Sequence, residues 1–392
     1  MEKFKYLMEP ELVANIQKYF GVEKIQKNDR SNAVDNIQKY FGVEKIQKND
    51  RSNAVDKKEY TVRNKFWYYL FCFGTALGDE LFYSSFIPFW FWNVDGAVGR
   101  RVVLVWAIIM YIGQGIKDLF QMPRPGPPVV RLQNKWAMEY GMPSTHAMVG
   151  VSIPFSVLLY TMDRYQYNFP LGLLIAIVWC SVICVSRLYL GMHSVLDVIV
   201  GLFLAICLMF PLVPIIDHLD NYFLTSPTAP ILLLVSSILM IVYYPNSGKW
   251  TPTRGDTTMI LSVCVGIQIG AWLNYQTGKM SASELTAPYA IMWPSYTMLG
   301  NTLLRTIIGF AFVLLTRTVC KTFTYNIICA ILREDVDNLK KSENTLQNKH
   351  KTIVDLGCKY VACAAIGFNT LYLLPQLFRF MRIERPTFFT EI

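Results

Sequence analysis

About nine apolar runs long enough to cross a bilayer limit the folds open to this 392-residue chain more than any other feature. A hydrocarbon layer of ~30 Å takes about 20 residues of helix. The runs lie around 66–92, 102–121, 147–162, 171–190, 195–216, 230–245, 257–275, 297–316 and 354–378. Inside hydrocarbon every backbone N–H and C=O must be bonded internally, so such runs become helices. Hydrophobic residues make up 53% of the chain and its mean hydropathy is +0.30, more apolar surface than one soluble core absorbs. The expected class is all-α, a polytopic membrane protein with about nine transmembrane helices. The 66–92 run is long and carries Asp79, Glu80 and Pro88, and the 147–162 run is short, so eight or ten crossings fit as well.

Charge and cysteine usage narrow the reading further. The net charge of +9 is spread through short loops and one mixed-charge connector around 317–351, without the clustered basic and stacking aromatic residues of a nucleic-acid surface. No nucleic-acid partner is expected. The nine cysteines lie in or beside apolar runs with no paired CxxC spacing, which excludes a disulfide framework and a structural zinc site. The first residues lack an apolar core segment, so the first span is expected to act as the membrane signal. Residues 15–35 recur letter for letter as 36–56. Two identical charged copies are not a solenoid, and residues 1–62 are expected to be a polar N-terminal extension ahead of a membrane domain over 63–392. That extension reads as a neutral, weakly helical segment, or as a peripheral helix using Ile16, Tyr19, Phe20 and Ile25.

Three short motifs at span ends carry the chemistry: Lys117-x6-Arg124-Pro125, Pro143-Ser144-Thr145-His146, and Ser186-Arg187-x5-His193-x3-Asp197. Basic residues at a span end are commonly snorkelling anchors. Three sets of ionisable residues at apolar boundaries are costly, however, and such groups mark function when they recur together. Lys117, Arg124 and Arg187 are the cations that can spread over phosphoryl oxygens. Ser144 reads as a helix N-cap, which with Thr145 and His146 would aim backbone amides at a bound anion. A neutral imidazole can attack phosphorus, and His193 with Asp197 four residues on is placed to do so, leaving His146 to protonate the leaving oxygen. No acidic two-metal cluster accompanies these residues, so neither a metal nor a cofactor is expected.

These motifs resemble the three-part signature of the type 2 phosphatidic acid phosphatase superfamily of lipid phosphatases. Around them, YYLFCFGTALGDELFY, PFWFWN, GRRVVLVW, MYIGQGIKDLFQMPRP, EYGMPSTHAM, SRLYLGMHSVLDVI and TRGDT are similar to the sphingosine-1-phosphate phosphatases, from about Arg63 to the C-terminus. The resemblance implies a helical core of that superfamily over about 100–217. It also implies metal-independent hydrolysis of a sphingoid base phosphate through a phosphohistidine, with His193, His146 and Asp197 catalytic and Lys117, Arg124, Ser144, Thr145 and Arg187 binding the phosphate. A lipid phosphate would be the partner; oligomeric state is left open. Broader lipid phosphate, polyprenyl diphosphate or glucose-6-phosphate hydrolysis is the alternative. The family's site faces the lumen of the endoplasmic reticulum, which would place Arg100 and Arg101 in the cytoplasm. Counting spans puts all three motifs on one side of the membrane. Asp79 and Glu80 read either as a buried polar contact or as recognition of a substrate ammonium or hydroxyl. Arg254 and Asp256 read as a loop salt bridge.

Overall fold

The computed structural model describes residues 2–24, 60–133, 138–245, 247–291, 293–345 and 347–392. The second copy of the duplicated segment, 36–56, lies outside the described residues, as does Ile25. Among the described residues, six helices are long and apolar enough to cross a membrane: α5 (Gly96–Phe120), α7 (Phe169–Tyr189), α8 (Val195–Thr225), α10 (Thr253–Gln276), α11 (Tyr296–Leu332), and the run Lys349–Phe380, which divides into α13 (Lys349–Leu371) and α14 (Leu373–Phe380). Two further apolar helices are shorter, α6 (Thr145–Thr161) and α9 (Ala229–Val242). The expected single run at 66–92 is two helices, α3 (Lys65–Ala76) and α4 (Glu80–Asn93). The chain turns between them at Leu77–Asp79, where Gly78 and Asp79, followed by Glu80 at the start of α4, interrupt the apolar sequence. The nine expected runs therefore resolve into six long helices, two short ones and one broken pair. The mixed-charge connector is shorter than expected, because α11 stays helical to Leu332 before α12 (Val336–Lys341).

Small residues allow the closest packing. A Cβ on Gly266 of α10 would lie 2.0 Å from the Ala364 carbonyl oxygen of α13, and one on Gly367 would lie 2.3 Å from that of Val263. The two backbones are thus in direct contact, the arrangement that van der Waals packing favours where lipid removes the hydrophobic drive between helices. The main core gathers α4, α5 and α6, with Phe91, Trp92, Val105, Ile109 and Met148 all buried.

The end of the bundle away from the three motifs is closed by buried charges. Arg100 forms a two-pronged pair with Asp220, at 2.9 and 3.1 Å, with both side chains almost inaccessible. Arg164 reaches Asp95 at 2.6 Å, and Glu391 binds the Gly96 amide and Arg385, tying the last residues of the chain to the start of α5. Burial alone would raise the Asp95 carboxyl, yet Arg164, Tyr165 and the Val98 amide hold it below its ordinary value. Arg254 does not bridge to Asp256: it donates to the Ile241 carbonyl, while Asp256 lies 3.8 Å from Lys359. Both residues occupy the first turn of α10, where a helix directs their side chains apart.

Residues 2–24 pack onto the membrane body. α1 (Glu2–Met8) and α2 (Pro10–Tyr19) lead into β1 (Val22–Lys24), which pairs antiparallel with β2 (Tyr60–Val62) just before α3. Phe20 meets Trp67, Phe71 and Tyr189 edge-on. The Gln17 side chain, 2% exposed, donates to the carbonyls of Val130 and Tyr189 and accepts from the Val130 amide. One amide thus fastens the loop after Arg124 to the turn after Arg187. Deletion of residues 15–35 joins Ala14 to Asn36 and restores the letters NIQKYFGVEK at the same place. The shortened protein is expected to keep its thermal midpoint in detergent within about 2 °C, because the clamp is rewritten intact; a larger fall would show that both copies are needed.

Candidate active site

The three motifs meet where α5 ends and α6 and α8 begin. α5 stops at Gln121, whose left-handed φ of 52° turns the chain, and this leaves Lys117 in the last turn. Lys117 Nζ lies 2.8 Å from Glu139 Oε2 and 3.2 Å from Thr145 Oγ1, with 1% of the residue exposed. Arg124 follows in the loop: its Nε donates to the Glu139 carbonyl at 2.9 Å and its Nη1 to the Met192 carbonyl at 2.7 Å. The same Nη1 stands 3.3 Å from His193 Nε2. Arg187, at the end of α7, is fully buried; its Nη1 donates to Thr75 Oγ1 at 2.7 Å. Its Nε and Nη2 have no hydrogen-bond partner among the described residues.

Ser144 caps α6 and its own amide donates to the Asp197 carbonyl at 3.0 Å, so the start of α6 is bonded to the start of α8. This contact needs a residue without a side chain opposite it. A Cβ on Gly201 would lie 2.7 Å from the Ser144 carbonyl oxygen. Thr145 and His146 follow in the first turn of α6, and His146 Nε2 lies 3.1 Å from Asp79 Oδ1.

All eight residues singled out from the sequence are thus placed together, with one difference in geometry. His193 Nδ1 is 3.7 Å from Asp197 Oδ2, beyond hydrogen-bond length. Asp197 instead accepts from the Ser194 amide at 2.7 Å and forms a capping box with Ser194. The i,i+4 argument does not hold here because His193 precedes the cap and lies outside the helix. A capping box of this kind is worth about 1 kcal/mol to the helix.

Electrostatics favour a neutral nucleophile. Burial, then the cations Arg124, Arg187 and Lys117, press the His193 pKa well below that of an ordinary histidine, so the ring is neutral at pH 7. Burial would raise Glu139, but Lys117 and Arg124 hold it below the usual glutamate value, which keeps it ionised. Glu139 and Asp79 were not assigned to the site from sequence. Glu139 lies five residues before Ser144, in the EYGMPSTHAM segment, but no spacing rule ties it to Lys117. Of the two readings the sequence leaves open for Asp79, a buried polar contact or recognition of a substrate ammonium or hydroxyl, the structure shows a polar contact, with His146, while Glu80 is exposed at the first turn of α4. Among the described residues no three His, Cys, Asp or Glu side chains gather as a metal site.

Residues 99–219 match the PAP2 superfamily. The chain is 38% identical to sphingosine-1-phosphate phosphatase 1 of Rattus norvegicus over 319 residues, 81% of this chain and 73% of that one. It is 38% identical to sphingosine-1-phosphate phosphatase 2 of Homo sapiens over 83% of this chain and 80% of that one. A dihydrosphingosine 1-phosphate phosphatase of Schizosaccharomyces pombe is 30% identical over 52% of this chain and 51% of its own length. No solved structure matches.

Replacing Gly201 by Val forces α8 and the start of α6 apart. Gly201→Val is expected to lower phosphate release more than tenfold while the protein remains monodisperse in detergent, since a displacement near 1 Å at a reacting centre costs up to about a hundredfold. Unchanged turnover would mean that the α6–α8 contact does not set the site.

Proposed function

The chain belongs to the PAP2 superfamily and, within it, to the sphingosine-1-phosphate phosphatases, and from that membership and the clustered site we propose that it hydrolyses sphingosine-1-phosphate and related sphingoid base phosphates. The products are the free base and inorganic phosphate. One observation carries the reading most directly: Arg187 is fully buried near Arg124, and its Nε and Nη2 have no protein acceptor among the described residues. Buried cations of this kind suit a multiply charged oxyanion.

In the proposed cycle the phosphomonoester lies among Lys117, Arg124, Arg187 and the groups of Ser144 and Thr145 at the start of α6. The Nε2 lone pair of neutral His193 attacks phosphorus in line. Arg124, 3.3 Å from that nitrogen, is positioned to follow the equatorial oxygens as negative charge spreads over them. The P–O bond to the sphingoid alcohol breaks, and His146 supplies the proton that makes the alkoxide a neutral hydroxyl. His146 then takes a proton from water, whose oxygen attacks the phosphohistidine; the N–P bond breaks and phosphate leaves. Asp197 holds the start of α8, and with it the His193 loop, through the Ser194 cap. The cations do the charge stabilisation that a metal could otherwise supply, so the reaction is metal-independent.

The location follows the same reading: a multi-pass protein of the endoplasmic reticulum membrane with its site toward the lumen. Arg100, Arg101 and Arg164 lie at the opposite end of the bundle, which supports placing that end in the cytoplasm.

The test is phosphate release by membranes carrying the protein, with sphingosine-1-phosphate, dihydrosphingosine-1-phosphate, phosphatidate and glucose-6-phosphate offered in parallel. Sphingoid phosphates are expected to exceed phosphatidate at least tenfold in kcat/KM, and equal rates would overturn the selective reading. His193→Ala is expected to retain under about 1% of turnover without loss of monodispersity, because the covalent route is gone. Activity should persist in excess EDTA and fall with vanadate, which resembles five-coordinate phosphorus. Loss on chelation that magnesium restores would refute the metal-free mechanism.

A further inference from the structure

We propose that Asp79 is a positioning residue of the reaction, the carboxylate that orients His146 and fixes which of its nitrogens carries the working proton. The inference rests on the phosphatase reading above. It starts from three contacts made by the turn between α3 and α4, a segment outside the 99–219 region that matches the superfamily. Asp79 Oδ1 lies 3.1 Å from His146 Nε2. A Cβ on Gly78 would lie 2.6 Å from His146 Cδ2, so the turn presses its backbone against the imidazole and only glycine leaves room for the ring. One helical turn earlier, Thr75 Oγ1 accepts from Arg187 Nη1 at 2.7 Å. The same short stretch therefore holds both the general acid and one phosphate cation, and Asp79 is the N-cap of α4 with no capping bond of its own.

The chemical consequence is a fixed tautomer. With Nε2–H donated to Asp79, the ring enters the first step as the imidazolium paired with that carboxylate, and the proton exchanged with the substrate is the one on Nδ1. In the first step the Nδ1–H bond breaks, an O–H bond forms on the departing alkoxide, and the P–O bond breaks as His193 bonds to phosphorus. In the second, Nδ1 takes a proton from water while the new O–P bond forms and the N–P bond breaks. The imidazolium formed in that second step is neutralised by the adjacent carboxylate, which a neutral amide cannot do. Tautomer control of this kind through an aspartate is worth orders of magnitude in turnover where it has been removed from other hydrolases.

The experiment compares full-length wild type, Asp79→Asn and Asp79→Glu, purified in detergent, on sphingosine-1-phosphate and on a long-chain alkylphenyl phosphate whose phenolate leaves without needing a proton. Asp79→Asn is expected to lower kcat on sphingosine-1-phosphate by about a hundredfold or more with KM within threefold, and to keep its first-turnover burst of phenol within about threefold of wild type. Asp79→Glu, which keeps the carboxylate, is expected to recover at least tenfold of the lost kcat and serves as the decisive variant if Asp79→Asn proves aggregated. A kcat for Asp79→Asn within threefold of wild type, an equal loss of the burst and of sphingosine-1-phosphate turnover, or no recovery in Asp79→Glu would each overturn the inference while leaving the phosphatase reading intact. A wild type inert toward every phosphomonoester would overturn both.

Discussion

The site depends on the ion pair between Lys117 and Glu139. Lys117 sits at the end of a long apolar helix with 1% of its surface exposed, and an unpaired ammonium there would cost several kcal/mol. Glu139 offsets that cost from the loop between α5 and α6, and its backbone carbonyl receives Arg124 as well. The pair therefore joins the first motif to the segment that enters the second. Around His193, burial first and then the cations Arg124, Arg187 and Lys117 keep the ring neutral.

Charge is concentrated at the two ends of the helical body and serves different purposes at each. At the far end the pairs Arg100–Asp220, Arg164–Asp95 and Arg385–Glu391 fix the start of α5 and dock the C-terminal residues. At the site end Arg187 Nε and Nη2 have no hydrogen-bond partner among the described residues, and Arg124 Nη1 stands 3.3 Å from His193 Nε2.

The N-terminal segment shows how a chain can add a part without adding a domain. Gln17 bonds two loops that flank the phosphate cations, and Phe20 fills the space among Trp67, Phe71 and Tyr189. This contact was hidden in the sequence because a glutamine in a charged stretch carries no periodic signal, and its partners lie 113 and 172 residues away. The α3–α4 break is only partly legible: Gly78, Asp79 and Glu80 interrupt the apolar run, but hydropathy does not say whether the chain runs straight or turns there.

The sequence by itself determined the helical class, the position of most long helices and the identity of the residues that gather at the site. Hydrocarbon leaves the backbone one open-chain solution, the helix, and ionisable residues at apolar boundaries are too costly to be incidental, so both are legible from residue order alone. Only the tertiary structure decided which partners those residues have. Glu139 for Lys117, Asp79 for His146, and a helix cap rather than His193 for Asp197 are matters of approach between segments distant in sequence, set to fractions of an ångström by glycines at the contacts. Spacing along a chain fixes which side chains share a helix face, but it holds no information about what an opposing helix brings to that face.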